Sequence, residues 1–269
     1  MLPIHSNRIR VVGMRTEISD KWVRALVGGT TVVDSRAPML FWEQKFPIPS
    51  YAFAPGDVRM DLLTPSAAAP AGRPTFFGPK GPVAQWYDVH ADGRVLPNAA
   101  WLRDAPELEG RITFSWDPVG IDHWLEEEEE VHSHPRDPHK RVEALPSSRH
   151  ITVSLDGVLL AESTNPVLLF ETYLPTRYYL PRADVHLDRM SRGSNRSHCP
   201  YKGYAEDYWD APGSPSVAWS YPDPYPAVAL IKDRISFYNE SVDITVDGLQ
   251  LPRPRSIFSS PKNRPVDGH

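Results

Sequence analysis

Ile151-Thr152-Val153-Ser154-Leu155-Asp156-Gly157-Val158-Leu159-Leu160-Ala161 reads as two β runs hinged on an Asp-Gly turn. Alternating and β-branched residues favour a pleated strand, and Asp-Gly supplies the left-handed backbone that a two-residue hairpin loop requires. Further β runs follow at Val167–Phe170, Arg177–Leu180 and Arg234–Tyr238. Proline sets their length. The chain has 29 prolines in 269 residues, about twice the usual share near 5%. Proline removes a backbone donor and blocks helix interiors, so the segments between prolines are short strands, edges and turns. The helix expected is a turn or two starting near Asp57 and Asp184, with each aspartate as its N-cap.

Working outward, the same order of segments occurs earlier in the chain. Gly28-Gly29 stands where the Asp-Gly turn stands, and partner runs lie at Met39–Trp42, Ser50–Phe53 and Arg111–Trp116. MLFWE (39–43) answers VLLFE (167–171), DVRMD (57–61) answers DVHLD (184–188), and TFFGPKG (75–81) aligns without a gap on SHCPYKG (197–203). WYD (86–88) falls on YWD (208–210), AAWLRD (99–104) on VAWSYPD (217–223), and RITFSW (111–116) on RISFYN (234–239). A period above a hundred residues is a duplicated domain, too long for a solenoid repeat. The expectation is an all-β protein of two small antiparallel sheet or open-barrel domains, related by a pseudo-two-fold, with few short helices.

The boundaries expected are a first copy at 1–125, a linker at 126–148, a second copy at 149–251 and a tail at 252–269. Five glutamates, Glu126–Glu130, followed by Pro135 and Pro138, read as a solvated linker that packs no core. The Pro-, Ser- and base-rich tail reads as disordered or loosely docked. No stretch approaches the roughly 20 apolar residues of a membrane span. The start, MLPIHSNRIR, lacks the apolar centre of a secretory signal, and a single cysteine excludes an intramolecular disulfide, so a cytoplasmic location is expected. A net charge of −5 with scattered basic residues gives no footprint for nucleic acid.

From these residues a resemblance emerges. The second copy resembles, over essentially its whole length, the domain-of-unknown-function 427 family, whose HCPYKG and AWSYPDP signatures stand unbroken at 198–203 and 218–224. HPRDPHKRVEALPSSRH (134–150) is similar to the linker of two-copy members. The first copy matches in spacing and in DVRMD but departs at Phe76, Phe77, Gly78 and Pro79, and at Leu102-Arg103-Asp104. The resemblance implies a compact all-β domain. It carries a nucleotidyltransferase-like label that the residues do not support, since no glycine-rich phosphate loop precedes paired metal-binding carboxylates.

Chemistry concentrates in SHCPYKG. His198, Cys199, Tyr201 and Lys202 are the catalytic candidates: His198 as a proton carrier, Tyr201 or Lys202 as stabiliser of negative charge, Cys199 as a nucleophile. Adjacent residues on extended chain face opposite ways, which argues against a His198–Cys199 dyad. All but Tyr201, which is matched by Pro79 and suits a site better, have a structural alternative. Cys199 aligns with Phe77 and His198 with Phe76, both apolar slots, whereas Lys202 and Gly203 repeat as Lys80 and Gly81 and suit a shared turn. Substrate-binding candidates are Tyr178, His186, Glu171, Trp219, Tyr221 and Asp223. His186 replaces Arg59 and is expected to pair with Glu171, which matches Glu43; Trp219 matches Trp101 and suits a core. Tyr221 and Asp223 sit in a Pro-bounded loop without clear counterparts. Tyr178, Tyr179, Trp209, Trp219, Tyr221 and Tyr225 supply aromatic surface for either a ligand pocket or a core.

No cofactor is expected. His132, His134 and His139 have a loose i, i+2, i+7 spacing that suits adventitious metal only. A metalloenzyme would need His186 and His198 to meet with Asp188 or Glu171. The expected function is a cofactor-independent acid–base enzyme, a lyase, isomerase or hydrolase acting on a small organic molecule in a pocket of the second copy. The alternative is a non-catalytic small-molecule-binding or scaffold protein. Convergence of His198, Tyr201 and Tyr221 on an open pocket would favour the enzyme.

Overall fold

A computed structural model describes residues 13–44, 46–66, 70, 77–117 and 120–259. The chain divides into two units, Met1–Asp137 and Pro138–His269. Each is built on the expected hairpin. In the second unit Ile151–Leu155 pairs antiparallel with Val158–Ser163 about a turn with Asp156 at φ 50° and Gly157 at φ 81°. In the first, Val23–Val27 pairs with Thr30–Ser35 about Gly28 at φ 53°. Both hairpins carry a register shift at the same place, between Val153 and Ser154 and between Ala25 and Leu26. The repeat therefore extends to an irregularity of the pleat.

The first unit holds a seven-stranded antiparallel sheet in the order Arg15–Ile18, Met39–Trp42, Pro49–Phe53, Ile112–Phe114, Arg94–Arg103, Val83–Ala91, Leu63–Pro65. In the second unit the corresponding sheet falls into two pieces. One orders Val142–Pro146, Val167–Glu171 and Arg177–Tyr179; the other orders Ser191–Gly193, Asp207–Ala211, Ser214–Ser220 and Ile235–Phe237. A single bridge, Leu180 to Ile235, joins them. No sheet closes into a barrel, and the helices among the described residues are 3-10 turns. None is long and apolar enough to cross a membrane.

Two expectations are corrected. The turns occupy Pro55–Asp57 and Arg182–Asp184, so each aspartate ends its turn rather than capping it. Asp57 and Asp184 instead accept hydrogen bonds from Ser35 and Ser163, at 2.7 and 2.6 Å, pinning the end of the hairpin. The glutamate run is not a linker. His123–Glu126 and Glu129–Glu130 form a hairpin on the first unit's small sheet, with Glu127 at φ 53°, just as Asp243–Val246 and Leu249–Gln250 do around Asp247 at φ 52°. Strand alternation buries Glu126 and turns its neighbours outward. Its carboxylate is matched by the Lys21 ammonium at 2.5 Å and the Tyr51 hydroxyl at 3.0 Å. Val142–Pro146, also assigned to the linker, is an edge strand of the second unit. The tail, finally, docks in part: Phe258 packs on the second unit's core, while residues 260–269 lie outside the described residues.

Alternation along the strands gives the second unit two cores. One gathers Ile151, Leu160, Leu168, Tyr178, Trp209 and Phe237. The residues between them, Leu169, Tyr179, Tyr208, Trp219, Tyr221 and Tyr238, form the other. In the first unit the face matching this second core is a small apolar patch of Met39, Phe41, Ala52 and Leu108. The pairing registers make Ala52 the counterpart of Tyr179 and Trp86 the counterpart of Tyr208. Hydroxyls have thus entered one face of one copy.

Candidate functional site

At the centre of the tyrosine-rich face lies Glu171, the last residue of strand Val167–Glu171. Its side chain is 4% exposed and is shared by two ammonium groups, Lys202, which donates to Oε2, and Lys140, 2.7 Å from Oε1. Burial by itself pushes the Glu171 carboxyl up, but Lys202 and then Lys140 outweigh it and hold the group at about 2. Burial disfavours the Lys202 charge, yet the fields of Cys199, Glu171 and Tyr179 keep its pKa above the usual lysine value. Tyr179 and Tyr221 are pushed above the ordinary phenol range, in both cases first by burial. Around neutrality this cluster is one carboxylate, two cations and neutral phenols. None of these four groups, Glu171, Lys202, Tyr179 and Tyr221, is poised to trade a proton there.

The pairing expected between His186 and Glu171 is not made, because the two lysines occupy the carboxylate. His186 stands before the turn Leu187–Arg189, its backbone N–H donating to the Leu160 carbonyl. Lys202 and Lys80 do not share a role either. Lys80 is exposed and lies 4.7 Å above the Phe46 ring, while Arg103 takes Glu43. Arg103 occupies the Tyr221 position by register, so Tyr221 does have a counterpart, and a cation. Trp219 donates from Nε1 to the Tyr179 hydroxyl at 3.2 Å, whereas Trp101 has a buried Nε1 without a partner.

Cys199 and His198 part company on the ribbon Ser197–Cys199 and Gly203–Ala205. Cys199 acts electrostatically on both Lys202 and Tyr221 and so borders the buried cluster. His198 lies between two other rings, 4.4 Å from Tyr204 and 6.3 Å from Tyr225, with Nε2 3.2 Å from the Tyr225 hydroxyl. Tyr201 lies 4.9 Å beneath the Lys140 ammonium. His198, Tyr201 and Tyr221 therefore do not converge: Tyr221 is buried, and each ring has its own neighbours. The position matched to His198, Phe76, lies outside the described residues.

Beside His198 is an open groove of about 430 Å³, lined by Gly203, Tyr204, Glu206 and the loop Pro222-Asp223-Pro224-Tyr225-Pro226. Gly203 makes the approach possible: at φ +95° it lies so close to the loop that a Cβ would stand 3.3 Å from the Asp223 carbonyl. The Tyr225 N–H donates to the Lys202 carbonyl at 3.1 Å, closing the end of the groove. Asp223 is on this rim, as is Tyr225 from the aromatic set. Trp219, Tyr221 and Glu171 are buried away from it, and Tyr178 is buried in the other core. Among the described residues no group of three or more His, Cys, Asp or Glu side chains is arranged to hold a metal.

The model of the family described as domain of unknown function, DUF427, matches residues 15–127 and again 143–248. The chain belongs to the DUF427 family. A search of curated proteins returned no match. The two DUF427 copies differ in length in the segment that forms the groove. Between matched residues Arg103 and Ile112 the first has the eight residues 104–111; between Tyr221 and Ile235 the second has the thirteen residues 222–234. The groove loop is that difference. Tyr204 and Glu206 likewise stand where the first copy has Pro82 and Ala84. Sequence reasoning passed over Tyr204, Glu206 and Lys140. The gapless alignment of the repeats could have exposed the first two, but nothing in the spacing pointed to Lys140.

Proposed function

We propose that the second copy is a binding domain for a small organic molecule, received in the groove beside His198. The observation that carries this is the five-residue difference between the copies. This loop, which the same fold does without in its other copy, makes a concave aromatic surface of ligand size on one side, while its Val228 and Ile231 pack into the core on the other. The buried Glu171–Lys202–Lys140 group backs this wall, since Lys202 and Tyr221 directly precede groove residues Gly203 and Pro222, and it holds both rims in position. The cytoplasm is the compartment that fits a chain with one cysteine. A ligand-observed NMR screen of small aromatic and polar fragments tests the reading. Bound fragments are expected to lose affinity in Tyr225→Ala and His198→Phe and to keep it in Cys199→Ser. A folded protein that binds no fragment, or binds equally well after both rim changes, overturns it.

A second reading, the cofactor-independent lyase, isomerase or hydrolase, is favoured by the His198–Tyr225 contact. An imidazole joined to a phenol at the edge of a groove is suited to moving a proton to or from a bound molecule. Its test is turnover: conversion of a bound ligand, followed by NMR and abolished by His198→Phe, supports catalysis, and a ligand recovered unchanged after long incubation rejects it.

A further inference from the structure

The groove's own chemistry narrows its occupant. Its rim carries two carboxylates, Glu206 and Asp223, and two phenol rings, Tyr204 and Tyr225, between three prolines. Tyr204 is 47% exposed, with His198 packed against its ring at 4.4 Å. Glu206 is exposed beside it, two residues further along the same ribbon and on the same side of it by strand alternation. Lys202, Arg182, Arg192 and Lys232 are each paired with a carboxylate. Lys202 is buried on Glu171, Arg182 and Arg192 hold Asp207, and Lys232 stands 3.6 Å from Asp223, whose side chain is 95% exposed. A pair so open to water is weak and leaves Asp223 available.

From this we infer that the groove takes an organic cation, a small primary or substituted ammonium compound. The inference rests on the groove being a ligand site and names the class of molecule it selects. Aromatic faces attract ammonium groups through their negative quadrupole, and the neighbouring carboxylates add a field of the same preference. Prolines give the ligand's apolar part a flat, dry surface that needs no hydrogen bonds. An anionic ligand would meet Glu206 and Asp223 and be repelled. The internal comparison agrees, because the first copy has Pro82 and Ala84 for Tyr204 and Glu206 and lacks the loop that carries Asp223 and Tyr225.

Three probes of one shape separate the possibilities: 2-phenylethylammonium, 2-phenylethanol and phenylacetate, titrated into the full chain by ligand-observed NMR. The ammonium is expected to bind about tenfold more tightly than phenylacetate at low salt, with the difference shrinking as salt is raised. Glu206→Gln is expected to reduce that preference, and Tyr204→Ala to weaken ammonium binding about two- to fivefold. Both side chains are exposed, so both variants fold. Equal or tighter binding of phenylethanol or phenylacetate, lost in Tyr225→Ala, would overturn the cation assignment and leave the groove as a ligand site. If none of the three binds, the cation assignment falls, and the groove reading stands or falls with the broader fragment screen.

Discussion

Lys202 and Lys80 occupy matching positions in matching motifs, yet one is sealed against a carboxylate and the other lies on the surface. What differs is which cations hold the shared glutamate: Arg103 in the first copy, and Lys202 with Lys140 in the second, where Tyr221 stands at the Arg103 position. Glu171→Gln therefore leaves a buried ammonium underpaired and is expected to cost about 3–5 kcal/mol of stability, read from urea denaturation. The pH dependence has a definite sign. Glu171 is held at about 2 in the folded chain, against roughly 4.3 when unfolded. The unfolded state thus binds more protons, so this contribution is present in full above about pH 4.3 and is lost as pH falls through about 2. Acid titration of stability should show a shallower fall in Glu171→Gln than in the parent. Tyr179→Phe makes a finer test: it strips Trp219 Nε1 of its acceptor, the condition Trp101 already has, and should cost about 1 kcal/mol.

Elements show why the acidic run was misread. Five consecutive glutamates have the composition of a solvated linker, but a hairpin exposes most of its residues and needs one inward position satisfied, here Glu126 by Lys21 and Tyr51. The contacts of the tail were hidden for the opposite reason. Its prolines and bases conceal Ser256, which donates to Glu240, and Phe258, 5.7 Å from the Tyr238 ring. Glu240 is itself in a two-point ion pair with the buried Arg177, at 2.7 and 2.9 Å. Phe258→Ala should destabilise the second unit by about 1–2 kcal/mol by uncovering this part of its core, visible as a lower melting temperature. Gly203→Ala acts on the ribbon. A side chain there is strained by the left-handed backbone and meets the Asp223 carbonyl, so the variant is expected to lose about 1–2 kcal/mol and to displace the groove loop. Weakened fragment binding with the overall circular dichroism unchanged would register that displacement.

For the whole molecule, each unit has its own hairpin, sheets and core clusters. Residues 1–137 and 138–269, expressed separately, are expected to fold and to unfold cooperatively in urea. A unit that remains unfolded alone would show that its core depends on the rest of the chain. A cut at 125 or 148 should behave differently, because 125 divides the strand His123–Glu126 and 148 removes the edge strand Val142–Pro146.

The sequence by itself determined the all-β class, the duplication and the hairpins, because period-2 alternation, Asp-Gly turns and dense proline are signals written in neighbouring residues. It also determined that the second copy carries the polar chemistry, since the copies could be compared residue by residue. Only the tertiary structure decided how that chemistry is distributed. Strand alternation turns Cys199 toward Tyr221 and His198 toward Tyr204 and Tyr225, and the turn between the two strands of the ribbon carries Lys202 inward to Glu171. Residues far apart in the chain, such as Lys140 and Glu171, or Glu206 and Asp223, meet through sheet pairing and loop length, which no local pattern encodes.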